Sequence, residues 1–188
     1  MSGRADEEDR TTPAPHSMLD APPLALLEQP LEFIAAEHYR HRCICVELRK
    51  AADLGHCDCD MARRLIDFLG HDLPLHHDDE EKDFFPMVEQ RAHPDDGLAT
   101  IIAGLREEHR KSGRHAARIT ELLSQPPHDD SIAIEPRAAD LLRTYARHEQ
   151  RHLAVENGIL LVIARRRLKA ADLSEISRGM RVRRGLAA

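Results

Sequence analysis

The sequence predicts an all-α protein, an antiparallel up-down-up-down four-helix bundle with a short C-terminal helix. Apolar residues recur every three or four positions over long stretches, which is the period of a helix with one buried face. Glycine is scarce, with 9 residues in 188, tryptophan is absent, and aromatic residues make up 3% of the chain. This composition favours helices over a sheet. Long helices joined by short connections are typical of a bundle.

Length and charge narrow the class of protein. A chain of 188 residues can form one domain with a sizeable core and tails. Its net charge of -6 and its pI near 6.1 argue against a partner that is nucleic acid or an anionic membrane surface. The sequence shows neither an apolar run of membrane-spanning length nor a signal-peptide pattern, so we expect a soluble, cytoplasmic protein. It gives no indication of the oligomeric state.

The first elements follow from composition and period. Residues 1–25 are charged and proline-rich, so we expect a disordered tail there, and residues 26–188 should form the bundle. The first helix is predicted over 26–53. The second is predicted over 61–91, with Pro74 bending it rather than ending it, because the apolar period continues past the proline.

Turn residues and caps place the remaining helices. A Pro-Asp-Asp-Gly turn leads into a third helix over 95–124, and a connection with two prolines leads to a fourth over 136–166. Asp172, followed by Glu175 three residues later, resembles a capping box that begins a short helix ending at Gly185. This C-terminal segment is rich in arginine. Such a run is usually a solvated helix face and only occasionally a docking patch.

Each of the four long helices carries polar side chains where its apolar stripe is interrupted. These side chains are His38, His77, Glu81, His109, His152 and Glu156. A histidine and a glutamate four residues apart lie on one helix face and can bind the same metal. Buried carboxylates and imidazoles are costly unless they are paired or metal-bound. The set therefore predicts a dinuclear site in the core, with ligands that suit iron or manganese better than calcium or magnesium.

This pattern resembles the hemerythrin-like family, the HHE cation-binding domain, in which each helix contributes one set in the order H, H-x3-E, H, H-x3-E. The stretch His-His-Asp-Asp-Glu-Glu-Lys-Asp-Phe-Phe-Pro at 76–86 is similar to the acidic motif of the family, and the segment 152–168 resembles its bacterial branch. The resemblance covers about residues 28–185. It implies that the six side chains bind two non-haem iron ions, oxo- or hydroxo-bridged, with Glu81 and Glu156 bridging. Manganese and zinc are the alternative metals.

Departures from the oxygen-carrying members of the family bear on function. Gly113 stands four residues after His109, where those members have another histidine, and Glu156 stands where they have an aspartate. The resemblance then implies that one iron lacks a ligand, which His148 or water would supply. It favours a protein that binds or senses O2 or NO, or the redox state of iron. The alternative is a di-iron enzyme acting in NO or peroxide detoxification or in iron-sulfur cluster repair, so the sequence leaves open whether the protein is an enzyme.

Other candidate residues have simpler interpretations. The cysteines form two C-x-C pairs, at Cys43, Cys45, Cys57 and Cys59. Inert thiols are the first interpretation, and a redox-sensitive pair in the loop or a four-thiolate zinc site are the alternatives. His41 and His76 lie close to predicted ligands and are weaker candidates for ligation. Tyr145 is expected to pack in the core or to hydrogen-bond near the site.

Overall fold

The computed structural model describes residues 18–187, and these residues form a mostly helical protein. The prediction of a helical fold is confirmed. The predicted tail at 1–25 falls largely on residues 1–17, which lie outside the described residues. Within the described part, five helices follow one another: α1 (Pro30–Leu54), α2 (59–91), α3 (Leu98–Leu123), α4 (136–167) and α5 (Ala170–Arg183). Helix α2 is continuous but consists of five segments, Cys59–Asp67, Phe68–Asp72, Leu73–Asp79, Glu80–Phe84 and Phe85–Arg91. Helix α4 is likewise continuous and consists of Pro136–Val155, Glu156–Leu160 and Leu161–Arg167.

Local chemistry explains where α1 begins and ends. A 3-10 turn over Leu24–Glu28 precedes it, so the helix begins a few residues later than the apolar period predicts. Pro30 occupies the first turn of the helix, where its missing N–H would have no intrahelical partner. Gly55 ends the helix in the left-handed conformation, with φ 74°, and its N–H bonds to the carbonyl of Ala51 at 3.0 Å. This φ is strained for residues other than glycine.

Two short strands join the helix connections, which the sequence had suggested were plain loops. Strand β1 (His56–Asp58) lies between α1 and α2, and β2 (Ser131–Ala133) lies between α3 and α4. They pair antiparallel with Cys57 opposite Ile132, and both of these side chains are buried. The two connections are thereby tied together at one end of the helices.

Helix α2 contains two π-helical turns, and a proline stands two positions after the last residue of each. In the turn Phe68–Asp72, the N–H of Leu73 bonds to the carbonyl of Phe68, five residues back, and Pro74 comes next. The turn Glu80–Phe84 is built in the same way and is followed by Pro86. A proline within a helix lacks the N–H donor and its ring clashes with the carbonyl four residues back. The wider turns place that carbonyl in a π segment, so α2 continues instead of breaking.

The buried apolar side chains form two separate clusters, with the polar core residues between them. The first cluster includes Ile44, Leu48, Leu65, Phe68, Ile119, Leu142 and Tyr145, and the second includes Ile34, Phe84, Phe85, Ile102, Leu105, Leu160 and Ile176. Along the chain, α1 and α3 pass from the second cluster to the first, whereas α2 and α4 pass from the first to the second. All four long helices therefore cross the same polar layer near their middles.

None of the helices within residues 18–187 is both long enough and apolar enough to cross a membrane.

Replacing Leu48 with alanine should lower the free energy of unfolding by about 2–5 kcal/mol, because the change removes buried methyl groups and leaves a cavity. Val46, on the same helix, is 48% exposed, so Val46→Ala should change the free energy of unfolding by less than about 0.5 kcal/mol. Urea denaturation followed by circular dichroism measures both variants. Equal losses in the two would contradict this assignment of the buried face of α1.

Candidate metal centre

Six buried side chains from four helices converge in the polar layer. They form two groups whose ligand atoms lie within 4.8 Å of one another, and each group could hold a metal ion. The first group is His38, His76, Glu80 and Glu156, and the second is Glu80, His109, His152 and Glu156. Glu80 and Glu156 belong to both groups. The arrangement is therefore that of two adjacent cation sites that share two carboxylates, each with two imidazoles of its own.

The imidazole nitrogens face the two carboxylates at short range. His38 Nε2 lies 3.1 Å from Glu80 Oε1 and 3.4 Å from Glu156 Oε2. His152 Nε2 lies 3.1 Å from Glu156 Oε1, and His109 Nε2 lies 3.4 Å from Glu80 Oε2. The Nε2 atoms of His109 and His152 are themselves only 3.0 Å apart. Atoms of both kinds thus point into one small volume.

Several of these atoms lack a well-aligned hydrogen bond. Within the described part of the chain, Glu80 Oε2, both oxygens of Glu156 and Nε2 of His76 are buried without a hydrogen-bond partner, although imidazoles lie nearby. Buried polar groups in proteins are normally satisfied, and a buried unpaired carboxylate oxygen is costly. Nitrogen and oxygen atoms that approach without hydrogen-bond geometry fit side chains aimed at a common cation. The residues present therefore fit a metal pair.

A second layer of side chains orients three of the imidazoles. Nδ1 of His109 donates to Glu81 Oε1 at 2.8 Å, and Nδ1 of His152 donates to Glu108 Oε2 at 2.9 Å. Nδ1 of His38 donates to Asn157 Oδ1 at 3.2 Å, and the Asn157 amide N–H donates to the carbonyl oxygen of Leu153. Because Nδ1 keeps its proton in these bonds, it is Nε2 that would give up a proton and direct its lone pair at a metal. This is the usual support for metal-binding histidines.

The shared carboxylates are held in their charged form. Burial alone would raise the pKa of Glu80, but the nearby imidazoles of His76, His109 and His38 outweigh it and hold the pKa well below its usual range. Burial and the charge of Glu80 would also raise the pKa of Glu156, and the opposing effect of His152 and His109 lowers it to about 2. Two negative charges therefore persist in a site that excludes water.

The two negative charges change the pKa values of the imidazoles to different extents. Burial would lower the pKa of His109, but the nearby carboxylates of Glu156 and Glu80 raise it to about 11. Burial likewise opposes protonation of His152, and Glu156 raises its pKa to about 9. For His76 burial prevails, and its pKa falls below the ordinary value. Protons on His109 and His152 thus occupy the place that a cation would take in balancing the two carboxylates.

Comparison with known proteins identifies the family. Residues 29–164 match the model of the hemerythrin HHE cation-binding domain. The chain belongs to the hemerythrin HHE family. It is also similar to a Haemophilus influenzae protein described only as an uncharacterized protein, with 25% identity over an alignment of 177 positions that covers 89% of this chain and 96% of that protein. That relative is bacterial, as is the branch of the family that the C-terminal motif resembles.

In α2 the two candidate metal-binding groups, called the HHE site below, contain a histidine and a glutamate that each lie one position before the predicted ones. Of the predicted ligands, the structure brings together His38, His109, His152 and Glu156, but it places neither His77 nor Glu81 in either group. His76 and Glu80 take those places. His77 is partly exposed and stacks on the His109 ring, with the ring centroids 3.9 Å apart. Glu81, whose side chain is 36% exposed, accepts the hydrogen bond from His109.

The difference of one position between the predicted and the observed pair has a physical reason. The doubled motif His76-His77-Asp78-Asp79-Glu80-Glu81 contains two H-x3-E pairs in adjacent registers. Both pairs satisfy the spacing rule, so only the rotation of α2 can separate them. The π turn Phe68–Asp72 shifts that rotation just upstream, because each wide turn holds more residues than an α-turn. Pro74, which follows this π turn, was the available sequence signal for the shift.

The shared carboxylates both begin π-helical turns. Glu80 opens the turn Glu80–Phe84 in α2, and Glu156 opens Glu156–Leu160 in α4. A π turn rotates the side chains that follow it relative to those before it, and such turns are found frequently at functional sites. The preceding α-helical residues His76 and His152 stay one turn before each carboxylate. The HHE site therefore lies where two helices change their winding.

His148 lies outside both groups and has another contact. Its Nδ1 is 3.1 Å from Glu149 Oε1, and the buried Glu149 is 3.5 Å from His41 Nε2. His41 Nε2 is also in hydrogen-bond contact with the hydroxyl of Tyr145, at 3.2 Å. Burial lowers the pKa of His41 to about 3, so this imidazole is neutral. These residues form a buried polar network beside the HHE site, and sequence reasoning had not singled out Glu149.

The cysteines contribute to neither group that could hold a metal among the described residues. All four are free thiols, with Cys45 and Cys57 buried and Cys43 and Cys59 partly exposed. Burial raises the pKa of Cys57 to about 11, which makes its thiolate rare near neutral pH. The inert-thiol interpretation is the one that these surroundings favour.

Alanine substitutions at the two adjacent histidines of α2 test the register. His76→Ala should abolish binding of one metal ion per chain, because it removes an imidazole from the first group. His77→Ala should leave the metal content unchanged and lower affinity by no more than about tenfold, because it removes only a ring stacked on a ligand. Metal per chain after gel filtration is the measurement. The opposite ranking of the two variants would restore the register that the sequence suggested.

Proposed function

We propose that this protein holds two non-haem iron ions between its four long helices and uses them to bind or sense a small diatomic ligand, O2 or NO, or the redox state of iron. The observation that carries the proposal is that Glu80 and Glu156 each belong to both buried groups. Two carboxylates shared between two imidazole pairs suit a dinuclear centre. Iron and manganese accept such mixed nitrogen and oxygen ligands, whereas calcium and magnesium prefer oxygen alone.

The ligand roles divide evenly between the two ions. His38 and His76 would hold one ion, His109 and His152 would hold the other, and the two carboxylates would bridge. With this set neither iron is short of an imidazole relative to the other, so His148 is not required as a substitute ligand. Four protein ligands per ion leave coordination positions open on iron, which commonly binds more than four. Bound iron would supply those open positions and a reversible change of oxidation state.

The chain itself supplies the surroundings that such a centre needs. The six side chains are at most 4% exposed, so bulk water is excluded from the volume they enclose. Glu81, Glu108 and Asn157 fix the ring orientations through Nδ1. The apolar clusters on either side hold the helices at a fixed separation. These features support binding of a small apolar molecule more readily than binding of a large charged substrate.

Two further parts of the proposal concern topology and location. We propose that the four long helices run up-down-up-down, which is supported by the alternating order in which they cross the two apolar clusters and by their short connections. We also propose a reducing, cytoplasmic location, supported by four cysteines that are all free thiols.

Iron content should report the two groups separately. Protein expressed with iron should contain two ions per chain, one for each group. Glu80→Gln and Glu156→Gln should each weaken the binding of both ions, because each shared carboxylate belongs to both groups. His38→Ala should remove one ion and His109→Ala the other. Metal analysis with visible spectroscopy, oxidised and reduced, measures this. A single zinc ion, or iron retained in both glutamine variants, would overturn the di-iron proposal.

Addition of gases to the reduced, iron-loaded protein then tests the function. A reversible absorption change with O2 or NO supports binding or sensing. Sustained consumption of NO or peroxide over many turnovers would instead make the protein an enzyme. The Glu80→Gln variant is the matched control, since it has the same bundle and lacks one shared carboxylate. A loaded protein indifferent to O2, NO and its own reduction would contradict the proposed function.

Metal binding should release protons. The pKa values of about 11 for His109 and about 9 for His152 mean that both rings are protonated at pH 7.5 when no cation is bound. They must lose these protons to bind a metal, so affinity should rise as the pH increases towards 9 and fall as it decreases. Proton release on adding Fe²⁺ anaerobically, followed with a pH indicator in weak buffer, measures this. Uptake of metal without proton release would contradict the proposed protonation.

A further inference from the structure

The C-terminal helix α5 lies beyond the residues that match the family, which end at 164. Its arginines were expected to form a solvated face. Arg183 and Arg184 instead turn towards α2, and their side chains are only 18% and 10% exposed. The guanidinium of Arg184 also lies over the ring of Phe33, at 4.8 Å from its centroid, which ties α5 to α1. These two arginines are therefore part of the packed structure.

Both arginines bind the residue immediately before a shared carboxylate. Asp79 is 1% exposed and directly precedes Glu80. Arg183 Nε donates to Asp79 Oδ1 at 2.7 Å, and Arg184 Nη2 donates to Asp79 Oδ2 at 2.7 Å. Each oxygen of this buried carboxylate thus accepts from a different guanidinium. Removing one partner of a buried, hydrogen-bonded ion pair leaves an uncompensated charge and is strongly unfavourable.

Arg183 also reaches across the π turn that Glu80 opens. Its Nη2 donates to Asp83, which lies inside the turn Glu80–Phe84, while its Nε binds Asp79 just before the turn. One guanidinium therefore spans the start of the turn and its fourth residue. Gly179 of α5 makes this possible, since a Cβ at that position would overlap the Asp83 carboxylate. We call Asp79, Asp83, Arg183 and Arg184 the Asp79 cluster.

We propose that the Asp79 cluster makes α5 a positioning element of the metal centre. It fixes the π turn that sets the direction of Glu80, and so slows loss of the metal ions. The inference rests on the proposed metal-binding function. Pro86 disfavours a regular turn at this point, and contacts from outside the helix add to the support of this rare winding. The two arginines supply that support from a segment distant in sequence, so substitutions in the Asp79 cluster should change the retention of metal.

A second ion pair between the same helices provides the control. Arg91, near the end of α2, binds Asp172, near the start of α5, through two hydrogen bonds of 2.9 and 2.7 Å. This pair also ties α5 to α2, but Arg91 lies eleven residues beyond Glu80 and outside the π turn. If α5 acted only through general stability, breaking either pair should have the same consequences. If the Asp79 cluster positions Glu80, only breaking the Asp79 cluster should disturb the site, and breaking the Arg91–Asp172 pair should not.

The experiment compares Asp79→Asn and Arg183→Gln with Arg91→Gln in the full-length chain. The first measurement uses metal-free protein and follows hydrogen exchange of the backbone amides at 80–84 by mass spectrometry. Asp79→Asn and Arg183→Gln should speed this exchange by about tenfold, and Arg91→Gln should leave it within about twofold of the wild type. The second measurement loads iron and follows its release to a chelator. Release should be about 10–100-fold faster in the first two variants only.

The two measurements together test whether the Asp79 cluster positions Glu80. Faster exchange at 80–84 together with faster release in both Asp79-cluster variants supports the inference. Arg183→Gln keeps the pair between Arg184 and Asp79, so it provides a milder variant if Asp79→Asn does not fold. Equal effects of Arg91→Gln in both measurements, or unchanged exchange at 80–84 in Arg183→Gln, would overturn it. A wild-type protein that binds no metal would defeat the proposed function, whereas the exchange measurement would still test the Asp79 cluster.

Discussion

The structure depends on the burial of two negative charges in the middle of an apolar core. Glu80 and Glu156 are 0% exposed, and both keep low pKa values because imidazoles from all four long helices surround them. A buried charge is tolerated only when partners compensate it. That requirement explains why every long helix contributes a histidine at the same level, and why the apolar residues separate into two clusters with a polar layer between them.

The winding of the helices follows from the same requirement. An ideal α-helix has a fixed rotation per residue. A uniformly wound α2 could not both pack its whole apolar stripe and direct its acidic motif inward. The π turns Glu80–Phe84 and Glu156–Leu160 change the rotation at the two shared carboxylates. Pro86 removes the N–H that a regular turn would use, so the α2 sequence itself disfavours uniform winding at this point. No proline follows the π turn in α4, so the packing around Glu156 must account for the winding there.

Support for the centre extends outward in layers. Glu81, Glu108 and Asn157 hold the rings that face the carboxylates, and the Asp79 cluster holds the backbone from which Glu80 projects. The arginines of this outer layer lie beyond residue 164, where the match to the family model ends. A site held in this way has its rigidity distributed over distant parts of the chain, and it is sensitive to changes that never touch a ligand.

The amino-acid pattern was enough to predict the helical class, the four long helices and the level at which their polar residues meet, because apolar period and i, i+4 spacing are local properties. It also singled out His38, His109, His152 and Glu156, each of which interrupts an apolar stripe. The folded structure was needed to show that His76 and Glu80, rather than His77 and Glu81, face the other polar core residues, because both pairs satisfy the spacing and the rotation of α2 depends on its π turns and its packing. It also decided that Arg183 and Arg184 bind Asp79, since a pairing between residues more than one hundred positions apart leaves no local pattern.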